Sequence, residues 1–216
     1  MKELLLCLCA ALTPAEQSVK CNSCLDRTSD HCNSIAEVTC VGFSQCATVA
    51  GFIKIGDVKT PFIYNGCPFD VPNKSWLFIS AKGFYMQSYV TYCSWEKCNM
   101  NYWKSHTHLV VYPNVAKKVS VDPFLVPQDA ETSNGLSCDS CYEEGTVEGC
   151  TSSQRIDCRG DQTICVDYRG VVKNPDRTIK SISLKGCANP LAYRKISLFY
   201  CLVEVQRILF SKENAT

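Results

Sequence analysis

The residues whose types and spacing could do chemistry are, first, the 17 cysteines in a chain of 216 residues. Cys21-x2-Cys24 and Cys138-x2-Cys141 have the local spacing of a pair of zinc ligands. The same spacing suits a dithiol that exchanges disulfides, although no helix-opening βαβ context surrounds either pair. As oxidised bridges, the cysteines need nothing beyond an oxidising compartment.

Other reactive groups are sparse. A hydrolase needs a nucleophile beside a base, and the chain has 3 histidines, His31, His106 and His108. His31 lies inside a cysteine loop and has no counterpart later in the chain. His106 and His108 stand two apart near Val110-Val111-Tyr112 with no third or fourth metal ligand evident. No glycine-rich phosphate loop or paired-carboxylate motif stands out. No enzyme, cofactor or metal site is expected. The formal charge of +1, with basic and acidic residues balanced between Cys21 and Asn99, gives no field for nucleic acid or anionic lipid.

The elements that must position the cysteines follow from their order. Cys21-x2-Cys24-x7-Cys32-x7-Cys40-x5-Cys46-x20-Cys67 returns as Cys138-x2-Cys141-x8-Cys150-x7-Cys158-x6-Cys165-x21-Cys187, with Gly66 and Gly186 before the last cysteines. No gap changes by more than one residue, so the chain is an internal duplication. A signal peptide over residues 1–15 fixes the compartment: Lys2, an apolar run from Leu4 to Leu12, then Thr13-Pro14-Ala15 for cleavage. Its loss removes Cys7 and Cys9, so fifteen of the 17 cysteines enter the mature chain. In the secretory route the repeated ladder reads as structural bridges.

The ladder, Asn65-Gly66-Cys67, Lys185-Gly186-Cys187 and Cys98-Asn99 resemble the lymphocyte-antigen/urokinase-receptor (LU) family. That resemblance implies an all-β, disulfide-rich fold of tandem three-finger, snake-toxin-like modules, each a disulfide knot with three projecting hairpins. It implies Cys21–Cys46, Cys24–Cys32, Cys40–Cys67 and Cys93–Cys98 in the first module. In the second it implies Cys138–Cys165, Cys141–Cys150 and Cys158–Cys187. The family's seventh and eighth cysteines are both missing from the first module, which leaves no orphan thiol and is similar to multi-module relatives of the urokinase receptor. The opening Asn134-Gly135-Leu136-Ser137-Cys138 is similar to second modules of gamma-type serum phospholipase inhibitors.

The resulting organisation is a leader at 1–15, a first LU domain at 19–99, a linker at 100–135, a second LU-like domain at 136–201 and a tail at 202–216. In the first domain, Phe52 to Ile55 and Phe62 to Tyr64 flank Gly56-Asp57 as the second finger. Trp76 to Ile79 and Phe84 to Tyr92 flank Lys82-Gly83 as the third. In strand alternation, Met86, Ser88, Val90 and Tyr92 share one face and Tyr85, Gln87, Tyr89 and Thr91 the other. Pro113, Pro123 and Pro127 mark the linker, which is long enough to keep some extended structure.

In the second domain Ile164, Val166 and Tyr168 alternate with Cys165, Asp167 and Arg169 as a half-buried strand should. Asn174-Pro175-Asp176 turns the chain back toward Ile182. After Cys187 only Cys201 remains, and no turn residues divide Tyr193 to Phe210, so an irregular or incomplete third finger is expected. Cys201 is the odd thiol, available for a covalent dimer. Glu204, Gln206 and Arg207 interrupt the apolar stretch at 196–210, so no membrane span is expected. The polar close from Ser211 to Thr216 does not fit a lipid-anchor signal, giving a secreted, unanchored chain. Asn73 and Asn214 head glycosylation sequons.

Function then falls to binding, since a stapled base holding variable loops suits recognition. The expected role is a secreted, non-catalytic protein-binding protein, in one reading an inhibitor of a secreted enzyme such as a phospholipase. The alternative is an unanchored form of a urokinase-receptor-type adhesion protein. The sequence does not name the protein ligand. The second-finger tip, with Lys54, Asp57 and Lys59 beside Ile53 and Ile55, is the candidate binding loop: charge around a small apolar anchor. Its counterpart, Lys173 to Arg177, is polar throughout.

Overall fold

A computed structural model of the chain describes residues 17–69, 71–100, 107–112, 115–120, 132–173, 179–194 and 209–214. The leader, His106, the 174–176 turn, Cys201 and most of the 202–216 tail lie outside them. The first module pairs β1 (Ser18–Asp26) with β2 (Ala36–Val41), β3 (Cys46–Ile55) with β4 (Val58–Gly66), and β5 (Ser75–Ala81) with β6 (Phe84–Cys93), each antiparallel. Gly56 and Gly83, at φ 57° and 76°, turn the second and third fingers in a region that L side chains rarely adopt. The two turns are tied, because the Gly56 N–H donates to the Gly83 carbonyl at 2.9 Å.

Between the modules, β7 (Thr107–Tyr112) and β8 (Val115–Ser120) form a separate two-stranded hairpin inside the stretch read as linker. The second module follows as β9 (Ser133–Glu144), β10 (Gln154–Arg159), β11 (Ile164–Lys173) and β12 (Ile179–Ala188), then a short helix at Pro190–Arg194 and β13 (Leu209–Asn214).

The duplication is repeated in strand register. Cys21 faces Val38 as Cys138 faces Ile156. Cys24 faces Asn65 as Cys141 faces Lys185, and Ala47 faces Gly66 as Val166 faces Gly186. The structure joins Cys21 to Cys46, Cys24 to Cys32, Cys40 to Cys67 and Cys93 to Cys98. It joins Cys138 to Cys165, Cys141 to Cys150 and Cys158 to Cys187. No bridge among the described residues crosses between the modules. The innermost sulfurs stack, Cys40 on Cys21 at 3.6 Å and Cys138 on Cys158 at 3.4 Å, so each knot is itself a small buried core.

Part of the presumed tail is strand. Residues Leu209–Asn214 pair with β11, Cys165 facing Glu213 where Cys46 faces Cys93 in the first module. β13 therefore occupies the place of β6 without a cysteine to close the knot. Local turn signals could not reveal this, since the paired residues, from Arg169 with Leu209 to Ile164 with Asn214, are far apart in sequence.

All strands except β7 and β8 belong to one 11-stranded sheet. The modules meet where β12 pairs with the outer edge of β5, Cys187 facing Ser80 and Ala188 facing Ile79. One apolar cluster runs across that seam, from Val49, Phe62, Leu77, Ile79, Met86 and Val90 to Val166, Tyr168, Leu184 and Ala188. The alternation in β11 holds, with Ile164, Val166 and Tyr168 buried. β6 differs: both of its faces are covered, and Gln87 and Thr91 are as buried as Met86 and Val90. A central strand buried on both sides masks its own period with buried polar residues such as Gln87, whose Oε1 accepts from the Tyr85 hydroxyl at 3.1 Å.

Candidate functional site: a cleft between the modules

The second-finger tip is held at an open mouth. Lys54 lies directly opposite Lys59, and Ile55 opposite Val58, across the β3–β4 pair. Ile55 is 40% and Val58 69% exposed, so the tip offers apolar surface as well as charge. The Lys59 ammonium sits 3.8 Å above the Phe52 ring, a cation–π contact, and Phe52 packs against Tyr85 at 5.7 Å between centroids.

Lys54, Lys59, Phe52 and Tyr85 form part of one wall of a cleft of about 820 Å³. Its lining includes Phe52, Lys54, Asp57, Lys59 and Tyr85 from the first module and Ile156, Asp157, Arg159 and Gln162 from the second. Ile55 is not in that lining. The second module thus contributes through β10 and the turn after it, not through its own second-finger tip. The tip at Lys173 to Arg177 lies largely outside the described residues.

The seam fixes the two walls relative to each other. At its floor Ser80 Oγ donates to Gln162 Oε1 at 3.0 Å, both residues lining the cleft. Asn189, fully buried, works along the β5 edge: its Oδ1 accepts from the Phe78 N–H at 3.2 Å and its Nδ2 donates to the Trp76 carbonyl at 2.9 Å. The same Nδ2 donates to Asp161 Oδ2 at 2.9 Å, and the Asn189 N–H donates to the Phe78 carbonyl at 3.2 Å. The Lys82 N–H reaches Ser140 Oγ at 2.6 Å, and Phe84 stacks on Tyr142 at 5.1 Å. Gly186 has no room for a side chain, because a Cβ would overlap the Ser80 carbonyl oxygen.

Sequence reasoning did not single out Arg159, Gln162, Ser80 or Asn189. Asn189 carried a faint signal: it follows Cys187 closely, as Asn99 follows Cys98. Both asparagines are fully buried and bind backbone, Asn99 within its own module, where it accepts from the Asn22 N–H at 3.0 Å and donates to the Asn22 and Ala47 carbonyls. Asn189 uses the same chemistry across modules.

The remaining candidates have plainer settings. Cys138, Cys158 and Cys187 bring their sulfurs within 4.8 Å of one another, yet each is in a disulfide and offers no thiolate to a metal. His31 has Ser29 Oγ at 2.7 Å and Asp30 Oδ1 at 3.0 Å, but both face Nδ1. A relay needs the nucleophile and the orienting carboxylate on opposite nitrogens of the histidine ring, so this exposed trio is loop structure. Nearby, the Thr28 N–H holds the Asp26 carboxyl below its ordinary range. Asn73 is exposed and its Oδ1 accepts from the Tyr92 N–H at 2.9 Å. Asn214 ends β13 opposite Ile164.

Residues 17–101 and 134–197 match the model of the u-PAR/Ly-6 domain. The chain belongs to the u-PAR/Ly-6 domain family and carries two matched regions. Proteins of this family are extracellular or cell-surface binding proteins without catalysis, and no helix among the described residues is long and apolar enough to cross a membrane. Among solved structures the chain is similar to one titled crystal structure of mouse TEX101, at 15% identity and a TM-score of 0.32, covering 93% of this chain and 98% of that one. No curated protein matches the sequence.

Proposed function

We propose that this chain is a secreted, non-catalytic protein-binding protein whose ligand enters the cleft between the modules. The observation that carries the reading is the second-finger tip: Lys54, Asp57 and Lys59 form one wall of a cleft whose other wall belongs to the second module. A cleft built from two stapled modules offers a preorganised surface, which lowers the ordering cost of association. Inhibition of a secreted enzyme such as a phospholipase is the narrower form of this proposal, resting on the resemblance at Asn134 to Cys138. A receptor-type adhesion role uses the same cleft.

The test is capture of a partner from secreted and cell-surface proteins, followed by exchange of residues 54–59 for a Gly/Ser loop. Affinity falls at least ten-fold if the tip is a wall of the site, with disulfide mass map and circular dichroism unchanged. Unchanged affinity with the fold intact removes the tip from the site. Turnover that survives purification and disappears in His31→Ala overturns the non-catalytic reading.

A further inference from the structure

Cations from both modules meet in the cleft. Lys54 and Lys59 are directly opposed across β3–β4, and like charges in that relation repel. Both belong to the lining, as does Arg159 on the facing wall. Lys59 leans over Phe52, while Lys54 and Arg159 make no side-chain ion pair among the described residues. Beneath them the half-buried Tyr85 ring, packed on the buried Phe52, gives an aromatic surface. Two carboxylates, Asp57 and Asp157, also line the cleft.

Resting on the binding reading above, we propose that the cleft takes an acidic protein loop: one carboxylate between Lys54 and Arg159, beside Lys59, with an adjoining apolar side chain on Tyr85. An anion beside Lys54 relieves its repulsion with the opposed Lys59 and gains a charge-assisted contact, and Arg159 adds a planar donor fork. The Tyr85 ring favours a carboxylate that brings apolar surface with it. A polyanion fits less well, because Asp57 and Asp157 leave the lining with one net positive charge, from three cations against two anions. The ligand's acidic group is therefore single, and its binding weakens only gently with salt.

The experiment uses the full, oxidised, isotope-labelled chain and three short Gly/Ser peptides whose centres are Glu-Phe, Gln-Phe or Lys-Phe. In an NMR titration at millimolar peptide, Glu-Phe moves the backbone signals of Lys54, Lys59 and Arg159, and Gln-Phe binds about ten-fold more weakly. Lys54→Gln and Arg159→Gln each weaken Glu-Phe binding by about the same factor and leave the β1–β2 signals in place. Equal binding of Gln-Phe, shifts only elsewhere, or no shifts to the solubility limit of the peptide would overturn the proposal. So would stronger displacement by a sulfated disaccharide, which would assign the cations to a saccharide. With a captured partner the two readings separate: if loop exchange abolishes binding while Lys54→Gln and Arg159→Gln do not alter it, the binding function stands and the acidic-loop assignment fails. If loop exchange has no effect, the cleft reading itself fails.

Discussion

Replacing Asn189 with Ala tests whether the two modules form one body through the seam. The substitution removes an acceptor from the Phe78 N–H and from the Ala192 N–H, at 3.2 and 3.1 Å, and a donor from the Trp76 carbonyl. Phe78 and Ala192 are 5% and 3% exposed, so bulk water does not easily replace the lost partner. A buried group left unpaired costs about 1–3 kcal/mol, and two such N–H groups with partial relaxation give about 3–5 kcal/mol. The disulfides lie within modules and survive the change, so the loss is local to the seam. Hydrogen exchange read by mass spectrometry should show faster exchange across β5 and the 187–194 segment, with β1–β2 unchanged. Guanidinium melts should move by the stated amount. Gly186→Val, which drives a side chain into the Ser80 carbonyl, should give the same pattern by a steric route. A shift below about 1 kcal/mol in both variants, with β5 exchange as in the parent, refutes the argument that the seam holds the cleft walls.

Two further outcomes follow from the bridges and from one carboxylate. Reduction should unfold both modules, because bridges closing 25 and 27 residues, such as Cys21–Cys46 and Cys138–Cys165, each contribute about 3 kcal/mol by loop closure; near-identical circular dichroism and melting in reductant would contradict this. Lys180 donates to Glu144 Oε2 at 2.8 Å and the Tyr142 hydroxyl to Oε1 at 2.9 Å, which holds the Glu144 carboxyl below its ordinary value of 4.5, Lys180 being the larger cause. A lowered carboxyl contributes stability that is complete above 4.5 and is lost as pH falls through its folded value. The pair is half-exposed, so Glu144→Gln should cost at most about 1 kcal/mol at neutral pH and nothing at acid pH, read from urea melts; a cost that grows on acidification would reverse the sign of the argument.

The cysteine ladder by itself determined the duplication, because cysteine spacing is written in chain order and each bridge closes within its module, while the all-β class followed from the family that the ladder resembles. The second and third fingers of the first module were legible for a similar local reason. Glycine turns at Gly56 and Gly83 separate β-rich arms, and each arm pairs with its sequence neighbour. The mixed charged and apolar tip from Lys54 to Lys59 was visible as a loop, but nothing local showed what would face it.

Tertiary structure decided the rest. That β12 lies along β5, that Arg159 and Gln162 face Lys54 and Lys59, and that β13 takes the β6 position all depend on contacts between distant segments. Such pairing is specified by edge hydrogen bonds and packed apolar faces, which leave no fixed spacing in the sequence. Asn189 shows the limit: its residue type announces a buried backbone-binding amide, as Asn99 does, while only the meeting of the two modules supplies the Phe78 and Trp76 backbone that it binds.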